Sequence, residues 1–144
     1  MPEPGKVVQV IGPVIDVQFP EQQVPEIYSA LKITDPSKGI DLTLEVQQHL
    51  GRDQVRAVAM DATDGVVRGQ PVENTGAPIS VPVGDECLGR IFNLLGDVVD
   101  GGPAVQTKER RAIHQKPPTY EMLGTKTEIF ETGIKVVDLL EPYA

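Results

Sequence analysis

Gly5-Lys6-Val7-Val8-Gln9-Val10-Ile11-Gly12-Pro13-Val14-Ile15-Asp16-Val17-Gln18-Phe19-Pro20 decides the fold of the first half of this chain. Val8 and Val10 flank Gln9, and after Gly12-Pro13 the apolar Ile15, Val17 and Phe19 alternate with Asp16 and Gln18. Alternation with period two marks a strand with one buried face, so the stretch reads as two strands joined by a bend. The same rhythm returns downstream. Leu42, Leu44 and Val46 alternate with Thr43, Glu45 and Gln47, Gly51-Arg52-Asp53 supplies a turn, and Val55–Met60 completes a hairpin. Weaker strand patterns cover Ile27–Thr34 and Val66–Glu73, with Pro71 expected at an edge or a strand end because it lacks a donor for the ladder. Five or six short strands, with no helical pattern to cover a sheet face, suit a small closed or nearly closed barrel.

Pro78-Ile79-Ser80-Val81-Pro82-Val83-Gly84 interrupts the rhythm and reads as a domain crossing, which places a barrel in 1–82 and a second domain from 83 to 144. Beyond it Leu88–Leu95 is a mixed apolar run, 96–103 a loop, and Pro117-Pro118 an extended stretch. A short helix is expected near the end: Thr132 can cap it, Ile134, Val137 and Leu140 recur at three-residue steps, and Pro142 stops it.

Composition excludes several classes. The 144 residues carry a net charge of −8, and acidic residues outnumber basic ones through residue 82. Binding to DNA or RNA draws on Lys and Arg that displace counterions, and a single-strand-binding barrel needs a basic groove with stacking aromatics, so no nucleic-acid partner is expected. Aromatics make up only 4% and there is no Trp, so the core must come from Val, Ile and Leu. Cys87 is the single cysteine, which rules out an internal disulfide and points to a reducing compartment. Met1–Lys6 shows neither the apolar core of a secretion signal nor an Arg-rich amphipathic leader, and the best apolar run, Val7–Phe19, is broken by Gln9, Asp16 and Gln18.

The candidate reactive residues are few. Gly84-Asp85-Glu86-Cys87-Leu88-Gly89-Arg90-Ile91 is the nearest approach to a phosphate-binding Gly-x-x-x-x-Gly-Lys-[Ser/Thr] loop, but Asp85 and Glu86 would repel phosphate and Ile91 offers no metal ligand. Asp97 and Asp100, flanked by Gly96 and Gly101-Gly102, are better read as turn residues than as an acid–base pair. His49 and His114 stand alone in sequence and read as surface or hydrogen-bonded structural histidines, and Cys87 as an inert thiol. Arg110-Arg111 beside Glu109 reads as a solvated or salt-bridged pair in preference to an arginine finger, Tyr120 as a packing residue, and Gly89, Gly96 and Gly133 as backbone hinges. No catalytic, cofactor-binding or metal-binding residue is assigned.

The quoted stretch, together with Leu44–Gly51, Thr63–Gly69, Val81–Gly84, Leu88–Gly96, Ala112-Ile113-His114 and Glu131–Leu139, resembles the beta subunit of F-type ATP synthase in order and over nearly the whole length. Val46-Gln47-Gln48 and Thr63-Asp64-Gly65 are similar to the beta subunit more than to the alpha subunit or the flagellar export ATPase. One departure is Val98, where the family usually has proline. The resemblance implies a mainly β chain: a six-stranded N-terminal barrel that joins its neighbours in a crown around an alpha–beta hexamer, then the incomplete start of an α/β P-loop nucleotide-binding domain. It implies ATP synthesis from ADP and phosphate driven by a proton gradient in the intact complex, where Mg-ATP or ADP binds beyond Ala144. The expected partners are alpha subunits, ring neighbours and the gamma stalk. Attachment to the cytoplasmic face of a bacterial membrane, or the equivalent organelle side, would be indirect. By this resemblance the 144 residues serve assembly and hold no cofactor; an interaction or regulatory module built on the same barrel is the rival. Residues 83–144 are expected to be poorly ordered alone, since a parallel sheet needs both faces covered.

Overall fold

The computed structural model describes residues 3–124, 126 and 128–143; Met1 and Pro2, the start of the leader reading, lie outside them. Contacts divide the chain into two units, the first ending at His114 and the second starting at Gln115.

The first unit is built on β1 (Gly5–Ile11), β2 (Val14–Gln18), β3 (Ser29–Asp35), β4 (Ile40–Gly51), β5 (Gln54–Ala59) and β6 (Pro71–Pro78). They close into an antiparallel barrel in the order β1-β2-β5-β4-β3-β6. The quoted stretch forms β1 and β2, and the two-residue connection pairs Ile11 with Val14. Gly12 takes a φ of 56° there, a left-handed value glycine adopts without a Cβ penalty, and Pro13 fixes the next φ. The bulge between Val7 and Gln9 shifts the alternation, so Val7 is buried while Val8 and Val10 are only half-buried. Arg52 and Asp53 both adopt positive φ, 50° and 57°, the geometry of a two-residue turn whose twist matches its flanking strands. Gln18 holds that turn from the neighbouring hairpin, its Nε2 donating to the Arg52 carbonyl at 2.9 Å.

Inside the barrel Val7, Ile15, Val17, Phe19, Leu31, Ile33, Leu42, Leu44, Val46, Val55, Ala57 and Val72 form one cluster. Each fully buried side chain of this kind stabilises by about 1.5–3 kcal/mol relative to exposure. Asp16 lies on the other face of β2, directly opposite Arg56 on β5. The guanidinium grips both carboxylate oxygens at 2.8 and 2.9 Å, which offsets the burial of the charge.

Two boundaries differ from the sequence expectation. The strand expected at Val66–Glu73 begins only at Pro71 and runs to Pro78. Gly65 and Gly69 both take φ of 82°, which keeps 61–70 as turns, and Pro71 opens the strand where a missing donor costs least. The stretch read as a break after Pro78 is partly a strand: β7 (Ser80–Val83) pairs with β8 (Glu109–Ala112) in a separate two-stranded sheet. Pro82 is accommodated because β7 is paired on one side only.

In the second unit a 3₁₀ turn spans Tyr120–Met122 and a helix, α1, spans Lys135–Leu140. Thr132 is not its N-cap residue, as the spacing suggested; Ile134 is. Thr132 acts two residues earlier, its Oγ1 accepting from the Ile134 N–H at 3.1 Å and donating to Asp138 at 2.6 Å. Asp138 also takes the Thr132 and Gly133 N–H groups, so the helix start is sealed by a carboxylate from its own first turn. These bonds, led by the Thr132 hydroxyl, hold the Asp138 carboxyl below its ordinary range.

Candidate functional site

The loop that follows β7 is the sequence's nearest approach to a phosphate cradle, and three of its backbone N–H groups are occupied. Gly84 has a φ of 124° and leads into a 3₁₀ turn at Asp85–Cys87. The N–H groups of Cys87, Leu88 and Arg90 donate to the carbonyls of Gly84, Asp85 and Cys87, so they point into the turn.

Asp97 and Asp100 take different partners. Asp97 accepts from Asn93 Nδ2 at 3.0 Å, and Asn93 Oδ1 in turn accepts from the N–H groups of Leu95 and Asp97. Asp100 is more than a turn residue. Arg90 grips it with Nε at 2.7 Å and Nη2 at 3.0 Å, and the N–H groups of Ile91 and Gly102 complete its shell. The Arg90 bond, first among these causes, holds the Asp100 carboxyl far below the usual carboxylate range. Arg90 also reaches the Pro103 carbonyl, which closes 90–103 into a clamped loop. A carboxylate so saturated is a poor base and a poor ligand for a cation.

A depressed folded value means that this bond contributes stability above the unfolded carboxylate range and loses it as pH falls through the folded value. The Ile91 and Gly102 amide signals in an NMR titration should therefore stay in place through the ordinary Asp range and move only in stronger acid. Arg90→Ala should bring that transition up toward the ordinary range. A wild-type midpoint near pH 4, the value of an unperturbed Asp, would contradict the clamp.

Four of the other candidates, His49, His114, Arg110 and Arg111, make side-chain bonds within the fold. His49 Nε2 donates to the Pro25 carbonyl at 2.8 Å, fixing the 20–28 loop against β4. His114 Nε2 lies 2.9 Å from Glu45. Arg111 pairs with Glu109 at 2.8 Å, and Arg110 donates to the Ser80 carbonyl at 2.6 Å, across the β7–β8 pair. Cys87 is half-buried in the 3₁₀ turn. Tyr120 is 90% exposed, which corrects its reading as a packing residue: the 3₁₀ turn after Pro117-Pro118 points it away from its neighbours. Gly96 sits where a Cβ would collide with Pro82, so it is a close approach as well as a positive-φ position.

Among the described residues no three His, Cys, Asp or Glu side chains gather as a metal site. No helix among the described residues is long and apolar enough to cross a membrane. The Asp16–Arg56 and Arg90–Asp100 pairs and the Glu45–His114 contact escaped the sequence reading, since each joins residues whose proximity depends on register or on a returning loop. The outer wall of the barrel carries exposed Ile11, Ile27, Leu50 and Val67. An open groove of about 420 Å³ runs between Val8, Gln9, Val10, Val66 and Arg68.

Six antiparallel strands closed in the order β1-β2-β5-β4-β3-β6 define a small β-barrel domain. Residues 7–76 match the family model described as ATP synthase alpha/beta family, beta-barrel domain.

Proposed function

We propose that the chain is the N-terminal portion of the catalytic beta subunit of a rotary, proton-translocating ATP synthase. The observation that carries this reading is the agreement between the matched residues, 7–76, and the strands that close the barrel, β1 to β6. Beta is favoured over alpha by Val46-Gln47-Gln48, which straddles a bulge of β4, and by Thr63-Asp64-Gly65 in the loop before β6. The barrel contributes to assembly of a ring with alpha subunits, and residues from 83 onward open the nucleotide-binding domain. In the full subunit Mg-ATP or ADP would bind beyond these residues, a central gamma stalk would be a further partner, and attachment to the membrane face would run through the complex. The 144 residues themselves neither bind nor turn over nucleotide, because they contain no Gly-Lys-[Ser/Thr] cradle.

A domain exchange tests the reading. Grafted in place of the barrel of a bacterial beta subunit, residues 1–82 should restore an alpha–beta ring with ATPase activity, and grafted onto alpha they should not. Restoration in alpha alone would reverse the assignment, and failure in both would favour a separate interaction module. Calorimetric titration of the 144-residue chain with Mg-ATP should give no heat of binding; micromolar affinity would refute the claim about nucleotide.

A further inference from the structure

Glu45 is a carboxylate that the barrel core does not need. It lies between Leu44 and Val46 on β4, so alternation turns it to the outer wall, yet it is only 4% exposed. A carboxylate withdrawn from water is costly unless hydrogen-bonded. Gln47 Nε2 reaches Glu45 Oε1 at 2.6 Å, and His114 Nε2 reaches Oε2 at 2.9 Å from 69 residues further along the chain. An ionised carboxylate can only accept, so Nε2 carries the donated proton.

The same imidazole stacks on Tyr28, with ring centroids 4.0 Å apart and planes 22° apart. Tyr28 has a φ of 70°, a left-handed value that a bulky residue keeps only where its surroundings over-determine it. Its N–H donates to the Val46 carbonyl at 2.8 Å, so β4 holds both the platform under the ring and the carboxylate at its edge. His114 arrives on a segment already fastened elsewhere: β8 pairs with β7, and the Ile113 N–H donates to the Ile79 carbonyl at 3.0 Å.

We propose that Glu45, Tyr28 and His114 form a latch that straps residues 79–114 to the barrel wall, and that His114 is the positioning residue that fixes where the chain leaves the barrel. A strained aromatic in the turn before β3 and a buried carboxylate on β4 are then explained by a single partner. β7 and β8 share no ladder with β1 to β6, so no strand pairing fastens the strap to the barrel.

Hydrogen exchange followed by mass spectrometry on the full chain tests the latch. His114→Ala should speed exchange at 79–83 and 109–114 roughly tenfold, the scale of one hydrogen bond to a charged group at a part-exposed site, and leave β1 to β5 unchanged. His114→Phe keeps a ring for Tyr28 but lacks the donor, and should behave as alanine does. His114→Gln keeps a donor and should recover part of the protection. Unchanged exchange in the alanine and phenylalanine variants would overturn the latch. So would equal acceleration throughout the barrel strands, which would make His114 a prop of the core, or a glutamine variant as fast as alanine.

Discussion

Leu44→Ala should lower the stability of the barrel by about 2–5 kcal/mol, the range for deleting a fully buried leucine side chain. Leu44 has no exposed surface and lies at the middle of β4, opposite Leu31 on β3 and Ala59 on β5. The barrel wall is continuous on both sides of it, so neither neighbour can collapse into the space without breaking a ladder, and the cavity term should be near its upper end. Small domains are stable by roughly 5–15 kcal/mol, so this one change removes a large share. Denaturant unfolding of the variant should show a lower midpoint with an unchanged slope. Leu50, six residues along the same strand and 37% exposed, is the internal control: Leu50→Ala should stay within about 0.5 kcal/mol of wild type. Equal losses at the two positions would mean that the buried middle and the exposed end of β4 do not differ in what they contribute.

The strands whose apolar residues alternate cleanly were legible in the sequence, and the reason is physical. Ile15, Val17 and Phe19, and Leu42, Leu44 and Val46, all enter the core cluster, because a half-buried strand can satisfy one face only by alternating. β6 was misplaced because its burial is set by closure. Of its eight residues only Val72 is buried, and its ladder to β1 and β3 exists only once the other strands have curved round. The bulges at Val7/Gln9, Val46/Gln48 and His49/Gly51 that produce this curvature have no composition signature, since the extra residues are ordinary strand formers.

The candidate residues divide in the same way. His49 and His114 are both hydrogen-bonded, yet neither partner is visible in the sequence, because Pro25 and Glu45 lie 24 and 69 residues away along the chain. Arg90 and Asp100 are ten apart, close enough to be noticed, but Gly96 and Gly101-Gly102 flanking the two aspartates suggest a free turn in place of a clamp. What a sequence shows is which groups are available; which of them spend their charge on each other follows from closure of the loop.

Gly5→Ala should destabilise the barrel by about 1–3 kcal/mol through overpacking, although replacing glycine in a strand ordinarily stabilises by about 0.4–1 kcal/mol. Gly5 has no left-handed φ to excuse it. Its reason is the seam. Gly5 pairs with Val72 and Lys6 with Pro71, the only ladder between the first and last strands, reinforced by the Val7 N–H donating to the Gln70 carbonyl at 3.0 Å. A Cβ at Gly5 would stand 2.8 Å from Phe19 Cε1 and 2.9 Å from both Phe19 Cζ and Val17 Cγ1. Phe19 is 3% exposed, so its ring cannot swing into water, and relief must come from the seam itself. The strain should therefore couple the two positions. Phe19→Leu removes the ring atoms that collide and leaves Val17 Cγ1 in place, so in the double variant it should relieve part of the cost of Gly5→Ala, with a coupling of about 1 kcal/mol in a double-mutant cycle. If the two changes simply add, or if Gly5→Ala alone raises the unfolding midpoint, the aromatic ring does not fill the place of that missing side chain and the barrel closes for another reason.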